Sequence, residues 1–119
     1  KSVILGGHPG KLTKLIRGDF YTHSSESEPA NGILINLFKK AEIDSAVVCE
    51  LEESPTVEGI VEIMRNHNRL DIFNSIADDV QEAAYRYVSS KTEIGTVMFD
   101  MNKNIIGTSK GFKVWQKRL

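Results

Sequence analysis

Apolar positions along the chain fall into short groups whose spacing assigns the elements. Val3-Ile4-Leu5 is a continuous apolar run that halts at Gly6-Gly7, which predicts a buried strand over residues 2–6. A polar turn, His8-Pro9-Gly10-Lys11, then leads into a stripe of Leu12, Leu15 and Ile16. That stripe predicts a short helix over 9–17, with Pro9 and Gly10 in its first turn, where proline is tolerated. Gly18 ends it, and residues 18–27 read as loop. Ala30, Ile33, Leu34, Leu37, Phe38 and Ala41 recur at i, i+3, i+4 and i+7, predicting a helix over 29–41 that opens on Pro29. Residues 43–52 fit two patterns. Ile43, Ala46, Val47 and Leu51 suit a helix capped by Asp44, whereas Ala46-Val47-Val48-Cys49 suits a strand; the helix is preferred. Ser54-Pro55 reads as the next helix start, with Val57, Ile60, Val61 and Met64 as its buried stripe and Arg65-Asn66-His67-Asn68 as its close. The longest helix is predicted over 70–89, with Phe73, Ile76, Ala77, Val80, Ala84, Tyr87 and Val88 on one face.

Two strands come last in this reading. Glu93 to Asp100 carries Ile94, Val97 and Phe99, Asn102-Lys103-Asn104 is a polar turn, and Ile105-Ile106-Gly107 returns, which makes a hairpin. A hairpin needs a further strand to be stable, and residues 2–6 supply it. The fold class predicted is α/β, with α+β as its variant: helices packed on a small mixed sheet made from an N-terminal strand and a C-terminal hairpin. Phe112 and Trp115 lie among lysines after the hairpin, where such aromatics either pack a tail onto the domain or dock a partner.

Composition adds limits. At 119 residues the chain is long enough for one domain with a modest core, and 40% hydrophobic with 26% charged residues is ordinary for a soluble globular protein. Cys49 stands alone, so neither a disulfide framework nor a cysteine zinc site is available, and it is expected to be a small buried side chain. No stretch approaches the roughly 20 apolar residues of a membrane helix. Lys1-Ser2 leads straight into a strand with no signal peptide, so a cytoplasmic protein is expected. The absence of an initiator methionine points to a piece of a longer polypeptide. A net charge of −1 argues against a general nucleic-acid binder, and no membrane partner is expected.

The charge is nevertheless uneven. Seven acidic and no basic residues lie between Glu42 and Glu62, while five basic and no acidic residues follow Asp100. Lys11, Lys14 and Arg17 make the first helix basic as well. Such an arrangement serves as solvated faces, or sets two basic ends beside a polyanionic ligand.

Candidate chemistry concentrates near the N-terminus. Gly6-Gly7-His8-Pro9-Gly10-Lys11 matches neither the P-loop nor the dinucleotide fingerprint. It reads as a tight turn whose glycines supply unusual backbone angles, or as a cradle of N–H donors with Lys11 beside it for a carboxylate or phosphate. Thr22-His23-Ser24 is either a capping cluster before the next helix or a ligand-contacting loop, with His23 able to move a proton near neutral pH. His8 and His23 alone, with no carboxylate pattern nearby, give little support to a metal site. His67, in an Asn-rich turn, reads as solvated. From the residues alone, a regulatory or anionic-ligand-binding module and a small phosphate-ligand enzyme both stay open.

The motif Gly7-His8-x-Gly10-Lys11-Leu12-x-Lys14-Leu15, followed by Gly18 and Thr22-His23-Ser24, resembles the signature of the cobalt-precorrin-5B (C-1) methyltransferases, the CbiD family of anaerobic cobalamin biosynthesis. Ser54-Pro55-Thr56-Val57-Glu58 resembles that family's threonine-led helix, Phe73 to Val88 its long final helix, and Gly95 to Gly107 its closing strand pair. The resemblance covers nearly the whole chain but only about the last third of a family member. It implies that residues 1–119 are a single domain forming the C-terminal part of a longer methyltransferase. It also implies methyl transfer from S-adenosylmethionine to ring carbon 1 of a cobalt-containing corrin precursor, giving cobalt-precorrin-6A. Carried onto this chain, it makes Gly6, Gly7, His8 and Gly10 substrate- or cofactor-binding, the glycines as a backbone cradle, and Lys11 and Lys14 contacts to macrocycle carboxylates. Thr22, His23 and Ser24 would line the reacting pocket, with His23 the candidate base. Cobalt belongs to the substrate, so the protein itself needs no metal. Tyr21 departs from the family's asparagine, and Ala30 and Gly32 from an arginine and a glutamate common in it, so contacts made by those side chains do not transfer.

Overall fold

The computed structural model describes residues 2–17, 30–88 and 92–119. Three strands form one mixed sheet in the order β1-β2-β3, with β1 at Ser2–Gly7, β2 at Glu93–Phe99 and β3 at Ile105–Thr108. β1 runs parallel to β2 from Ser2 opposite Glu93 to Gly7 opposite Met98, and β2 pairs antiparallel with β3. The hairpin thus takes the N-terminal strand as its third member, as the apolar pattern predicts. Among the described residues six helices pack around the sheet: α1 (Pro9–Leu12), continued by a 3-10 turn over Thr13–Arg17, α2 (Ala30–Lys40), α3 (Ser45–Glu52), α4 (Val57–Asn66), α5 (Ile72–Tyr87) and α6 (Lys110–Lys117). The architecture is α/β. Among the described residues no helix is long and apolar enough to cross a membrane.

The two faces of the sheet are covered differently. Met98 and Gly107 are opposite each other and share a face; a Cβ on Gly107 would meet the backbone of Phe73, so that face carries α5. Gly95, three residues from Met98, points the other way, and its Cβ would meet the backbone of Phe112 in α6. The core lies on the α5 face. Leu34, Phe38, Leu51, Ile60, Val61, Met64, Phe73, Ala77, Val80 and Met98 are all fully buried there. Phe38 and Phe73 meet edge to face at 6.0 Å, joining α2 to α5.

Several local readings hold, with physical reasons. Asp44 caps α3 by accepting the Ala46 N–H at 3.0 Å, which decides the ambiguous stretch in favour of helix. His67 closes α4.

Other expectations are corrected. β1 is not buried: among the described residues it has a neighbouring strand on one side only, and its residues are exposed or half-exposed. The helix after Ser54-Pro55 begins at Val57, because Thr56 is its cap, accepting the Gly59 N–H at 3.0 Å, while Ser54 braces the Thr56 carbonyl. Tyr87, 60% exposed, and Val88 lie beyond the buried part of the α5 stripe. Cys49 is exposed on the outer side of α3. His67 is not merely solvated but pairs with Glu50 at 2.6 Å, joining the end of α4 to α3.

The strands do not come last either, since α6 follows them. Its signal is Ser109, whose hydroxyl accepts the N–H groups of Thr96 at 2.8 Å and Phe112 at 3.3 Å, so that one residue caps the helix and fastens it to β2. Phe112 is buried against Gly95, and its ring lies 5.6 Å from that of Trp115. The aromatics therefore pack the C-terminal segment onto the sheet. The predicted loop over 18–27, the helix start at Pro29 and the end at residue 89 lie outside the described residues.

Candidate functional site

The parallel pair β1 and β2 ends at Gly7 and Phe99, and the turns leaving these two strands lie side by side. Open α/β sheets offer ligands the space outside the carboxyl ends of parallel strands. At this edge α4 presents Glu58, Glu62 and Arg65, spaced i, i+4 and i+7 on one helical face. Glu58 joins the two turns. One of its oxygens accepts from His8 Nε2 at 2.8 Å, and the other accepts the Met101 N–H at 3.2 Å.

His8 is held on both ring nitrogens. Its Nδ1 accepts the Gly10 N–H at 3.0 Å, which places the ring proton on Nε2, facing Glu58. The His8 carbonyl also accepts the N–H groups of Lys11 and Leu12. The donors expected to form an open cradle at Gly10 and Lys11 are thus engaged by His8 itself, which caps α1. A Cβ on Gly10 would come within 3.1 Å of His8 Nδ1, so this glycine admits the imidazole. None of Gly6, Gly7 and Gly10 occupies the left-handed backbone region, which corrects the expectation of unusual angles. Gly6 turns toward the α6 face and Gly7 toward Leu12. Lys11 is exposed and Lys14 half-buried. The structure therefore brings Gly7, His8, Gly10 and Lys11 together in one turn. Thr22, His23 and Ser24 lie outside the described residues.

Asp100 builds the second turn and is 4% exposed. One oxygen accepts the N–H groups of Asn102 and Asn104, each at 2.9 Å; the other accepts the Asn104 amide at 3.1 Å and the Arg65 guanidinium at 2.6 Å. Lys103 takes a φ of 67° in this turn. Burial pushes the Asp100 carboxyl up, but the Asn104 and Asn102 donors and Arg65 outweigh it and hold it below the ordinary carboxylate value. Arg65 also donates to Glu62, whose carboxylate raises the guanidinium above its usual value. Because the folded pKa is depressed, this contribution to stability is present above the ordinary aspartate value of about 3.9. It is lost as pH falls through the lower folded value. Asp100→Asn is expected to cost about 1.5–3 kcal/mol at pH 7, and the gap from the parent should narrow below about pH 4. Urea unfolding at the two pH values checks this, and a gap that does not change with pH would remove the charge from the account.

The sequence pattern assigns no site role to Glu58, Arg65 or Asp100. Their signals were the helical spacing of Glu58, Glu62 and Arg65, and an aspartate followed by Asn102 and Asn104 directly after a strand. A separate apolar groove, lined by Ile16, Ile33, Asn36, Leu37 and Lys40, runs between the 3-10 turn and α2. Part of the acidic middle is paired at the surface, Glu50 with His67 and Glu52 with Lys39.

Comparison with known proteins adds to this geometry. The family model described as "CbiD, C-terminal domain" matches residues 21–110. The cobalt-precorrin-5B C(1)-methyltransferase of Prochlorococcus marinus subsp. pastoris is 30% identical over 112 residues, covering 88% of this chain and 30% of the relative. That of Moorella thermoacetica is 30% identical over 108 residues, with 90% and 30% covered. The Methanococcus aeolicus protein of the same name is 34% identical over 112 residues, with 91% and 29% covered. The chain spans about 30% of the length of these relatives. No solved structure matches it. With the family model matching most of its length and these relatives aligned over about nine-tenths of it, the chain belongs to the CbiD family.

Proposed function

We propose that this chain is the C-terminal part of a cytoplasmic enzyme that methylates ring carbon 1 of cobalt-precorrin-5B to give cobalt-precorrin-6A in anaerobic cobalamin biosynthesis, with S-adenosylmethionine as methyl donor. The observation that carries the reading is the run of relatives named cobalt-precorrin-5B C(1)-methyltransferase that align along about nine-tenths of the chain. Cobalt arrives within the substrate and asks nothing of the protein. When bound, the donor supplies a methyl group activated by a positively charged sulfur. The residues present suit one wall of such a site. Among the described residues a Cβ added at Gly6 or Gly7 would meet nothing closer than 3.4 Å, so packing against them does not require glycine there, and a ligand can approach the backbone closely.

The work left to the protein is alignment of two substrates and exclusion of water, and no nucleophilic side chain is required. In this reading the Glu58 carboxylate fixes the His8 turn relative to Met101 and so sets the shape of the strand-end surface. Lys11 and Lys14 reach the acetate and propionate carboxylates of the macrocycle. Thr22 and Ser24 contact the reactants, and His23 takes or orients a proton.

The test is a single-turnover assay with cobalt-precorrin-5B and S-adenosylmethionine. The family-length enzyme is expected to give methylated product, and a failure to do so overturns the reading. The 119 residues alone are expected to give none, since they are about 30% of the length of the relatives. Product from them alone would make the remainder dispensable.

Lys11→Ala and Lys14→Ala in the family-length enzyme are expected to weaken macrocycle binding by about 10- to 100-fold, the worth of a charge-assisted hydrogen bond. Donor binding should change far less, and added salt should narrow the difference between variant and parent at exposed Lys11. Equal macrocycle affinity in parent and both variants removes these lysines from the site.

A further inference from the structure

Among the described residues the sheet is closed along one side and open along the other. Beyond β3, the Thr108 N–H goes to Asn74 at 2.9 Å, and the Lys110 and Gly111 N–H groups go to Asp78 and Gln81, so α5 side chains occupy the donors that leave the hairpin. β3 is also only four residues long, and its register with β2 is broken between Met98 and Phe99. Short length and a register break are two ways in which proteins blunt a sheet edge.

Among the described residues nothing gives β1 such protection. It is six residues long, contains no charge and no proline, and keeps unbroken register with β2. A strand with a neighbour on one side directs the N–H and C=O of alternate residues away from the sheet. Among the described residues, no backbone hydrogen bond outside the ladder engages residues 2–7. Val3 is 36% exposed, and Ile4 and Leu5 are only half-buried. An uncharged edge of this length, with Val3, Ile4 and Leu5 along it, is a template for another strand.

We infer that the free edge of β1 pairs with a β-strand from the part of the family-length enzyme that lies outside these 119 residues. The inference rests on the reading of this chain as part of such an enzyme. Two observations select that occupant. The relatives are more than three times as long as the matched region, so ample chain exists to supply a strand. In addition, β1 lies outside residues 21–110, the stretch matched to the family's C-terminal domain, yet it is built into that domain's sheet. The sheet therefore extends beyond the stretch that the family model matches.

A second copy fits less well, because a six-residue edge buries far less than the roughly 1,600 Å² of a standard interface. A strand in the same polypeptide needs no such area, since its effective concentration is high. β1 leads directly into Gly7, His8 and α1, so the added strand would border the candidate site and complete its wall.

Residue-resolved hydrogen exchange on the family-length enzyme tests this without any need for methyl transfer. A covered edge protects consecutive amides from Val3 to Gly7, each slowed by at least about 100-fold. An open edge leaves every second amide exchanging at surface rates, which overturns the inference. The occupant is identified by placing the photo-cross-linking residue p-benzoylphenylalanine at Val3 and sequencing the captured peptide. Capture of a peptide of the same polypeptide from outside these 119 residues is expected. Capture of a segment within them, or of a second copy through a link that disappears on dilution, overturns it. An enzyme inactive in the assay above but protected along all of β1 would separate failure of the methyltransferase reading from failure of this one.

Discussion

Replacing His23 by alanine in the family-length enzyme is expected to lower the single-turnover rate of methylation by about 10²–10⁴-fold, the usual worth of a positioned acid or base. The chain has three histidines, and the fold already uses two of them. His8 holds Gly10 with one ring nitrogen and Glu58 with the other, so it has no nitrogen left for a substrate proton. His67 pairs with Glu50 at the end of α4. His23 is therefore the imidazole on which proton transfer is proposed to fall, and its flanking Thr22 and Ser24 are hydrogen-bonding residues suited to a reacting pocket. The parent's pH–rate profile should contain an ionisation that the variant lacks. Thermal unfolding should move much less than for a core truncation, which costs several kcal/mol. A turn-capping His23 predicts the reverse: a lowered melting temperature with a near-normal rate per folded molecule. Rate and unfolding measured on one preparation separate the two outcomes.

The helices and the hairpin were legible because their signals are local. Phe73, Ile76, Ala77 and Val80 repeat with helical spacing, and Asp44 precedes α3 as a cap should. α6 was missed because only Phe112 of its eight residues is buried, too few for a period to emerge, and what holds it is Ser109 bridging to β2. Three apolar residues in a row look alike at the centre and at the edge of a sheet, so the pattern predicts a buried β1 where the fold has an edge strand. Its position is set by the order of strands in space, which spacing does not encode.

The candidate site was legible in place but not in working. The glycine-rich turn does lie at the carboxyl end of a parallel pair, where a ligand would be sought. What the turn does depends on partners far along the chain. Glu58 is 50 residues from His8, and Arg65 is 35 from Asp100. A motif read over eleven residues shows N–H groups at a helix start, but not that the histidine within it will accept them.

The glycines give the sharpest contrast between motif and fold, and a variant pair measures it. Gly6 and Gly7 draw attention in the sequence, yet the glycines that the fold requires are Gly95, Gly107 and Gly111. At Gly107 a Cβ would fall 2.5 Å from the Phe73 carbonyl oxygen and 2.7 Å from its carbon. Both are backbone atoms of α5, so no rotamer change relieves the contact. To make room, β3 has to lift from α5 and loosen Ile106 and Met98 from the core cluster that includes Phe73. Gly107→Ala is expected to cost about 3 kcal/mol or more, lowering the melting temperature by about 10 °C or more. At Gly6 a Cβ would meet Val97 at 3.4 Å and Phe99 at 3.5 Å, ordinary packing distances, with the backbone outside the left-handed region. Gly6→Ala should therefore leave thermal stability unchanged or raise it slightly, by up to about 1 kcal/mol, because alanine loses less chain entropy on folding. In the family-length enzyme the same variant should slow methyl transfer if a ligand approaches the backbone at Gly6. A Gly6→Ala protein that melts as early as Gly107→Ala would make the glycine pair a requirement of folding. One that is both stable and fully active would remove Gly6 from the site and leave Gly7 and Lys11 as its nearest candidates.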